Sequence, residues 1–271
     1  MKDITNKLIL ITGGASGIGR LMGLDFAGRG ARVAAWDLDS GALASLEDEA
    51  RRRNVFIKGM VCDVSDRAAV YRQAALLEEE LGPVDVLINN AGVVSGSVFL
   101  ETPDEKIIKT MQVNTFPLFW TCKAFLPSMI KRNTGHVVTI ASAAGLIGVR
   151  GLADYSASKF AAFGFDEALR MELRRNKSGV KTTVVCPFFI DTGMFRGVKT
   201  RFPLLLPILK DTKAAGKIVR AVLRDKKRLI LPAFIYAVYF LRLLPVTALD
   251  IVADFFGISK AMDEYTGRGR P

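Results

Sequence analysis

A tyrosine and a lysine stand four positions apart in Tyr155-Ser156-Ala157-Ser158-Lys159, and Ser142 precedes them at the end of an apolar run. On a helix that spacing puts phenol and ammonium on one face, where the cation favours the phenolate. An unperturbed tyrosine titrates near pH 10, so a base working near neutrality needs a downward shift of roughly 2–3 units, about 3–4 kcal/mol. Near the start of the chain, Lys7 to Thr12 reads as an apolar strand, followed by Gly13-Gly14-Ala15-Ser16-Gly17-Ile18-Gly19 and a helical pattern from Arg20. A glycine-rich strand-to-helix turn brings bare backbone N–H groups and a helix N-terminus up to a pyrophosphate. Either segment alone is modest evidence. In this order on one chain they point to nicotinamide chemistry.

The elements that must position these groups alternate along the sequence. Strands are expected near Lys7–Thr12, Ala31–Asp37, Val55–Cys62, Val84–Asn89, Gly135–Ala141, Val180–Cys186 and Arg228–Leu231, all rich in Val and Ile. Their near-continuous hydrophobicity suits a parallel sheet covered on both faces. Helices are expected over about Gly17–Gly30, Gly41–Arg53, Asp66–Leu81, Asp104–Lys131, Gly151–Asn176 and Asp211–Asp225. Ser65 and Pro103-Asp104 read as helix starts, and Gly30 and Gly82 as stops. The expected fold is α/β: a doubly wound, Rossmann-type, seven-stranded parallel sheet with helices on both faces and an apolar C-terminal helical extension. Right-handed crossovers then collect the motifs along one sheet edge.

The 271 residues suit one large domain, and no linker interrupts them. Met1 to Asn6 shows no signal-peptide or anchor pattern, so the expected location is cytoplasmic. Cys62, Cys122 and Cys186 are scattered in apolar surroundings and read as reduced core thiols. No His or Cys cluster has ligand spacing, so no metal site is expected. His136, the single histidine, opens an apolar strand and reads as a packing or strand-edge residue. The 38 Lys+Arg against 27 Asp+Glu give a net charge of +11. No nucleic-acid recognition motif accompanies that charge, which leaves a solvated basic surface or attraction to anionic lipid, since Lys226-Lys227-Arg228 and Arg242 flank the most apolar part of the chain.

With Ser142, Tyr155 and Lys159 following the glycine turn in order, and Asn89-Asn90-Ala91-Gly92, Asn114 and the turn Pro187 to Thr192 between and after them, the chain resembles the short-chain dehydrogenase/reductase family over nearly its whole length. The resemblance implies Asn114, Ser142, Tyr155 and Lys159 as the catalytic set, with Tyr155 as general base, Ser142 holding the substrate oxygen, and Asn114 holding a water that relays protons from Lys159. Each has a quieter reading: Ser142 as a strand end, Asn114 as a helix–helix plug. The resemblance also implies cofactor contacts from Gly13, Ser16, Gly17, Ile18 and Gly19. Asp63 and Val64 would meet adenine, Asn90, Ala91 and Gly92 would floor the site, and Lys159 would bind the nicotinamide ribose. Ile190 and Thr192 would hold the carboxamide, with Phe188 standing where most of the family has Gly. Asn89 reads as structural. Asp37 ends the second strand roughly 20 residues past the turn, where a carboxylate accepts from ribose hydroxyls and repels a 2′-phosphate. NAD is therefore expected over NADP, unless Arg32 or Arg51 to Arg53 folds over the ribose; the alternative for Asp37 is a helix cap.

Substrate choice falls to a lid over about 193–210 and an extension over about 232–271. Asp191 to Gly197 leads into Arg201-Phe202-Pro203-Leu204-Leu205-Leu206-Pro207-Ile208-Leu209, and Asp254-Phe255-Phe256-Gly257-Ile258 with Met262-Asp263 completes a pattern resembling the retinol dehydrogenase and lipid-droplet 17β-hydroxysteroid dehydrogenase subgroup. That implies a bulky lipophilic alcohol as substrate and a homodimer or homotetramer. Ala233 to Leu241 is apolar on every side, yet Pro232, Arg242 and Pro245 break it well short of the ~20 residues of a membrane span. Val246 to Phe256 is amphipathic. Lid, subunit contact and peripheral membrane contact all remain open for this tail. A 3-oxoacyl thioester reductase and an NAD-binding scaffold or sensor are the rival readings, the first opposed by Asp37 and the second by the intact catalytic set.

Overall fold

The computed structural model describes residues 3–267. In chain order the strands are β1 (Leu8–Thr12), β2 (Arg32–Asp37), β3 (Ile57–Val61), β4 (Val86–Asn89), β5 (His136–Ile140), β6 (Lys181–Pro187), β7 (Ile190–Asp191), β8 (Leu209–Lys210) and β9 (Arg228–Leu231). The helices are α1 (Gly17–Gly28), α2 (Ser40–Arg52), α3 (Arg67–Leu81), α4 (Asp104–Asn114), α5 (Phe116–Lys131), α6 (Ala153–Arg175), α7 (Asp211–Leu223), α8 (Ala237–Leu241) and α9 (Val246–Phe255). Among the described residues, seven strands form one parallel sheet in the order β3-β2-β1-β4-β5-β6-β9. The order reverses between β1 and β4, which opens a crevice beyond the strand C-termini. This is the doubly wound fold expected of the sequence.

Alternation along the strands builds two cores. Ile9, Ile11, Val33, Ala35, Val86 and Ile88 meet Met22 and Phe26 of α1, Leu46 of α2 and Ile218 of α7 on one face. Leu8, Leu10, Trp36, Leu87 and Val137 meet Leu77 of α3, Phe125 and Met129 of α5 and Leu169 of α6 on the other. Full burial stabilises each such side chain by about 1.5–3 kcal/mol, so the sheet rather than any helix sets the fold's rigidity.

Several local expectations are corrected. The long helix over Asp104–Lys131 breaks at Thr115, because Pro117 lies in the first turn of α5 and cannot donate the N–H that would continue α4. Asp66, not Ser65, caps α3, its carboxylate accepting from the Ala68 N–H at 2.8 Å. Gly82 ends α3 at φ +85°, as expected, whereas α1 stops at Gly28 and Gly30 takes the positive φ beyond it. His136, in keeping with its packing reading, opens β5 inside the sheet between β4 and β6, fully buried with Nε2 2.7 Å from Thr183 Oγ1. Burial pushes it down to about 4, so it stays neutral. The three cysteines are free and buried, each thiol pushed up to about 12 by burial.

The basic run Lys226-Lys227-Arg228 opens β9, at the edge opposite the strand C-termini, and Arg228 turns to Glu167 at 2.7 Å and to the Tyr239 ring. β7 and β8 form a small parallel ribbon that the sequence pattern did not suggest; it closes the lid loop between them. Ala233 to Leu241 splits into a 3-10 turn and the single-turn α8, with Ile235 and Val238 buried and Phe240 exposed. No helix among the described residues is long and apolar enough to cross a membrane.

Candidate active site

A cavity of about 280 Å³ lies beyond the strand C-termini. Gly13, Ser16, Gly17, Ile18, Asp37, Asp63, Val64, Asn90, Ala91 and Gly92 line one end, with Ser142, Tyr155, Lys159, Ile190 and Thr192 toward the other. Of the catalytic and cofactor residues expected from the sequence, Gly19 and Asn114 alone stand off the wall.

The glycine turn is built by backbone demands. Gly13 has φ +61°, and a Cβ at Gly19 would meet the Gly13 carbonyl oxygen at 2.2 Å, so α1 approaches β1 only through a bare residue. Ser16 makes no side-chain cap, and the first turn of α1 carries no acidic residue. Its orphan N–H groups and partial positive charge therefore face the cavity, as an anionic pyrophosphate requires. Asp37 takes the Ala15 N–H at 3.0 Å, while Asp39 caps α2 through the Ala42 N–H. The helix-cap reading of Asp37 thus passes to Asp39. Arg32 reaches the Leu81 carbonyl and the Phe56 ring, and Arg51 and Arg53 pair with Asp48 and Glu49, away from Asp37. Asp63 accepts from the Ser65 N–H and Oγ–H at 2.8 and 2.6 Å. These bonds hold its carboxyl below the usual range against the opposing effect of burial, which is the largest influence on it.

The centre is held by a hub that sequence reading missed. Thr12 Oγ1 accepts from the N–H groups of Asn90 and Ala91 at 3.0 and 3.1 Å, and the Asn90 amide donates to the carbonyls of Thr12 and Gly13. Its sequence signal was a hydroxyl ending an otherwise apolar strand. Asn89 receives the Thr121 hydroxyl at 2.7 Å, in keeping with its structural reading. Asn114 closes a pair of bonds with the Val93 backbone at 2.8 and 2.9 Å and donates to Ser158 Oγ at 3.0 Å, which itself donates to the Tyr155 carbonyl. Asn114 thereby links the loop after β4 to α6. Its Oδ1 and the Lys159 ammonium both face bare Gly92, within 3.4 and 3.5 Å of where a Cβ would stand.

Tyr155 and Lys159 occupy successive turns of α6, both buried. Lys159 Nζ donates to the Ile140 carbonyl at 3.0 Å and lies 5.5 Å from the centre of the Tyr155 ring. Burial pulls the ammonium down to about 8, leaving it largely charged at neutral pH. Burial pushes the Tyr155 phenol up to about 12, with a hydrogen bond to Ser142 opposing. Burial therefore favours the protonated phenol. Ser142 follows β5, its Oγ accepting from the Ala144 N–H at 3.1 Å.

Apolar residues complete the far end. Phe188, Phe189, Phe195, Met194, Val149 and Ile258 line it, from the turn after β6, the lid, the loop after β5 and the tail. Phe195 meets the Tyr155 ring edge-on at 5.8 Å. Phe188 donates its N–H to the Leu231 carbonyl and packs its ring on Phe189. Lid and tail are joined through Phe202, whose ring lies 5.4 and 5.7 Å from Phe255 and Phe256.

Residues 7–201 match the family described as short chain dehydrogenase. Epidermal retinol dehydrogenase 2 of Mus musculus is 45% identical over 270 residues, covering 98% of this chain and 87% of the relative. Retinol dehydrogenase 10 of Bos taurus is 40% identical over 290 residues, covering 96% and 85%. A short chain dehydrogenase/reductase from Burkholderia phymatum, solved in complex with NAD, superposes with a TM-score of 0.81 at 28% identity, covering 89% of this chain and 95% of its own. Levodione reductase shares the fold, with a TM-score of 0.76 at 23% identity, covering 84% and 96%. The chain belongs to the short chain dehydrogenase family, in its retinol dehydrogenase subgroup, and is an oxidoreductase acting on CH–OH donors.

Proposed function

We propose that the protein interconverts a bulky lipophilic secondary or allylic alcohol and its ketone or aldehyde, with NAD as the preferred cofactor and Tyr155 as general acid and base. The observation that carries this reading is one cavity with an uncapped helix start and Asp37 at one end and Ser142, Tyr155 and Lys159 beside aromatic rings at the other. The retinol dehydrogenase names of the relatives support an allylic lipophilic alcohol, and the NAD complex of the structural neighbour supports the cofactor.

Gly13, Ser16, Gly17 and Ile18 would hold the pyrophosphate through the turn, with Gly19 acting by letting α1 approach. Asp37 would take the adenosine ribose, and Asp63 and Val64 the adenine. Asn90, Ala91, Gly92, Ile190, Thr192, Tyr155 and Lys159 would hold the nicotinamide half. Arg32, Arg51 and Arg53 are engaged away from Asp37, which favours NAD. Bound NAD⁺ would supply a hydride acceptor and a positive ring beside the phenol.

Ser142 hydrogen-bonds the alcohol oxygen, and Tyr155 takes its proton in oxidation and returns one in reduction. Burial favours the protonated phenol, ready to donate in reduction, and the positive nicotinamide ring would add to the field of Lys159 in oxidation. Lys159 stabilises the phenolate by its charge and exchanges protons with solvent through a water held at Asn114. Exposed Leu204, Leu205 and Ile208 on the lid and Phe240, Leu243 and Val246 on the tail support peripheral contact with anionic membrane, with Arg201 and Lys210 on the same segments. Exposed Ile108, Phe116 and Phe119 on α4 and α5 support a homodimer or homotetramer.

Turnover of retinoids, steroids and simple ketones with both cofactors tests the reading. Tyr155→Phe should cost roughly 10²–10⁴-fold in rate while NAD still binds. A variant within about tenfold of the parent would sink the assignment. Lys159→Ala should lose rate and NAD affinity together.

A further inference from the structure

Four of the apolar residues that line the reacting end of the cavity, Val149, Phe188, Phe189 and Ile258, also line a second, smaller pocket of about 20 Å³. They stand between the two spaces. The far walls of the second pocket come from the lid, through Thr200 and Leu206, and from the tail, through Phe256 and Ala261. Its volume admits about one water, and with walls mostly of apolar side chains it suits a hydrocarbon group better than solvent.

Three of the four dividing residues are fixed near the sheet. Phe188 and Phe189 follow β6 with their rings 4.6 Å apart, and the Phe189 carbonyl accepts the Leu209 N–H at 2.8 Å. The Val149 N–H donates to Ser156 Oγ of α6 at 3.4 Å. Among the described residues, Ile258 is the tail's one contribution to the wall of the larger cavity. It is delivered there by Gly257, which follows α9 at φ +76°, a left-handed turn that favours glycine. A Cβ at Gly257 would stand 2.8 Å from that of Arg201, so tail and lid are pressed together at the turn. Backbone bonds hold the seam: Arg201 Nη1 donates to the Phe255 carbonyl at 3.1 Å, the Lys199 N–H to the Ala261 carbonyl at 3.3 Å and the Thr266 N–H to the Arg196 carbonyl at 2.9 Å. Residues 257–267 thereby return over the reacting end, where Ala261 and Met262 are buried in the same apolar cluster as Tyr155 and Phe189. Ile258 itself is only half-buried, so its side chain can be changed without opening the core.

We propose that Ile258 is a specificity-determining residue: standing between the reacting cavity and the second pocket, its side chain sets how far an unbranched carbon chain can extend from the carbinol group toward the seam of lid and tail. That role deepens the lipophilic-alcohol reading above and rests on it. Each methylene buried against the apolar walls should raise kcat/KM about fourfold until the chain meets Ile258, and further methylenes should add nothing.

The test is kcat/KM with NAD across a homologous series of straight-chain allylic alcohols. Ile258→Ala should carry the rise about two methylenes further, so that the long-to-short ratio increases about tenfold, and Ile258→Phe should lower it by a similar factor. Leu206 lines the second pocket but not the reacting cavity. Adding Leu206→Phe to Ile258→Ala fills that pocket from the lid side and should return the ratio to within about twofold of the parent. Loss of folded protein lowers turnover of every chain length alike and cannot move the ratio in opposite directions. The same alcohols are titrated by calorimetry into each variant with NAD bound, which reads the pocket independently of chemistry. Dissociation constants that follow the predicted ratios in a protein that oxidises none of the alcohols would sustain the role of Ile258 and reject the dehydrogenase reading. Turnover in the parent with a ratio unmoved in both Ile258→Ala and Ile258→Phe overturns the proposal alone, and a gain in Ile258→Ala that Leu206→Phe leaves intact overturns it because the chain then does not enter the second pocket.

Discussion

At the glycine-turn end of the cavity Thr12, Asp37, Asn90 and Asn114 are each tied to backbone groups, whereas at the lid end the contacts are rings, methyl groups and exposed ion pairs. The first end rests on a sheet whose strands are buried on both faces. The second carries Leu204 at 99% exposed, Leu243 at 82% and Phe240 at 75%. Binding a cofactor of fixed shape calls for preorganised donors, while a lipophilic substrate is held by apolar area that needs no directional partner. The same chain therefore spends its hydrogen bonds at one end and its unpaired hydrophobes at the other.

The comparison is broken most severely by adding one carbon to the rigid end. Gly19→Ala would drive a methyl into the Gly13 carbonyl, and we expect NAD affinity to fall about a hundredfold or more, near 2.7 kcal/mol, measured by calorimetry. Unchanged affinity would mean that the turn is as yielding as the lid.

Asp37→Asn is the next largest change. It preserves an oxygen for the Ala15 N–H but removes the charge, and like charges at close range cost about 1–4 kcal/mol depending on local dielectric. The NAD:NADP preference should narrow by about tenfold or more, and a parent that already prefers NADP would reject the role given to Asp37.

The smallest effect on the fold belongs to the exposed end. Leu204→Ser, Phe240→Ser and Leu243→Ser together should leave stability within about 0.5 kcal/mol per site. Sedimentation with anionic vesicles should fall about tenfold, and binding by the parent should weaken as salt shortens the Debye length from roughly 10 Å at 0.1 M. Parent protein that never sediments would leave these residues as a lid or subunit contact.

Much of the rigid end was legible because its requirements are local. A strand, a glycine turn and a helix in succession need specific residue types at fixed spacing, and the Tyr155–Lys159 spacing requires only one helical turn. The break at Thr115 was also written in the sequence, as Pro117, but apolar periodicity ran through it and masked it. Ser65 and Asp66 are both good caps, and only the path of the chain chose between them. Thr12 gave almost no sequence signal, because its partners, Asn90 and Ala91, lie 78 and 79 residues away.

The sequence by itself determined the parallel sheet, the glycine turn and the order Ser142, Tyr155, Lys159, because periodicity, backbone strain and helical spacing act over a few residues. Tertiary structure alone decided that Asp39 rather than Asp37 caps α2, that burial pushes Tyr155 up to about 12, and that residues 257–267 return over the reacting end. Desolvation and contact depend on everything packed around a group, and in a folded chain most of that comes from residues far away in sequence.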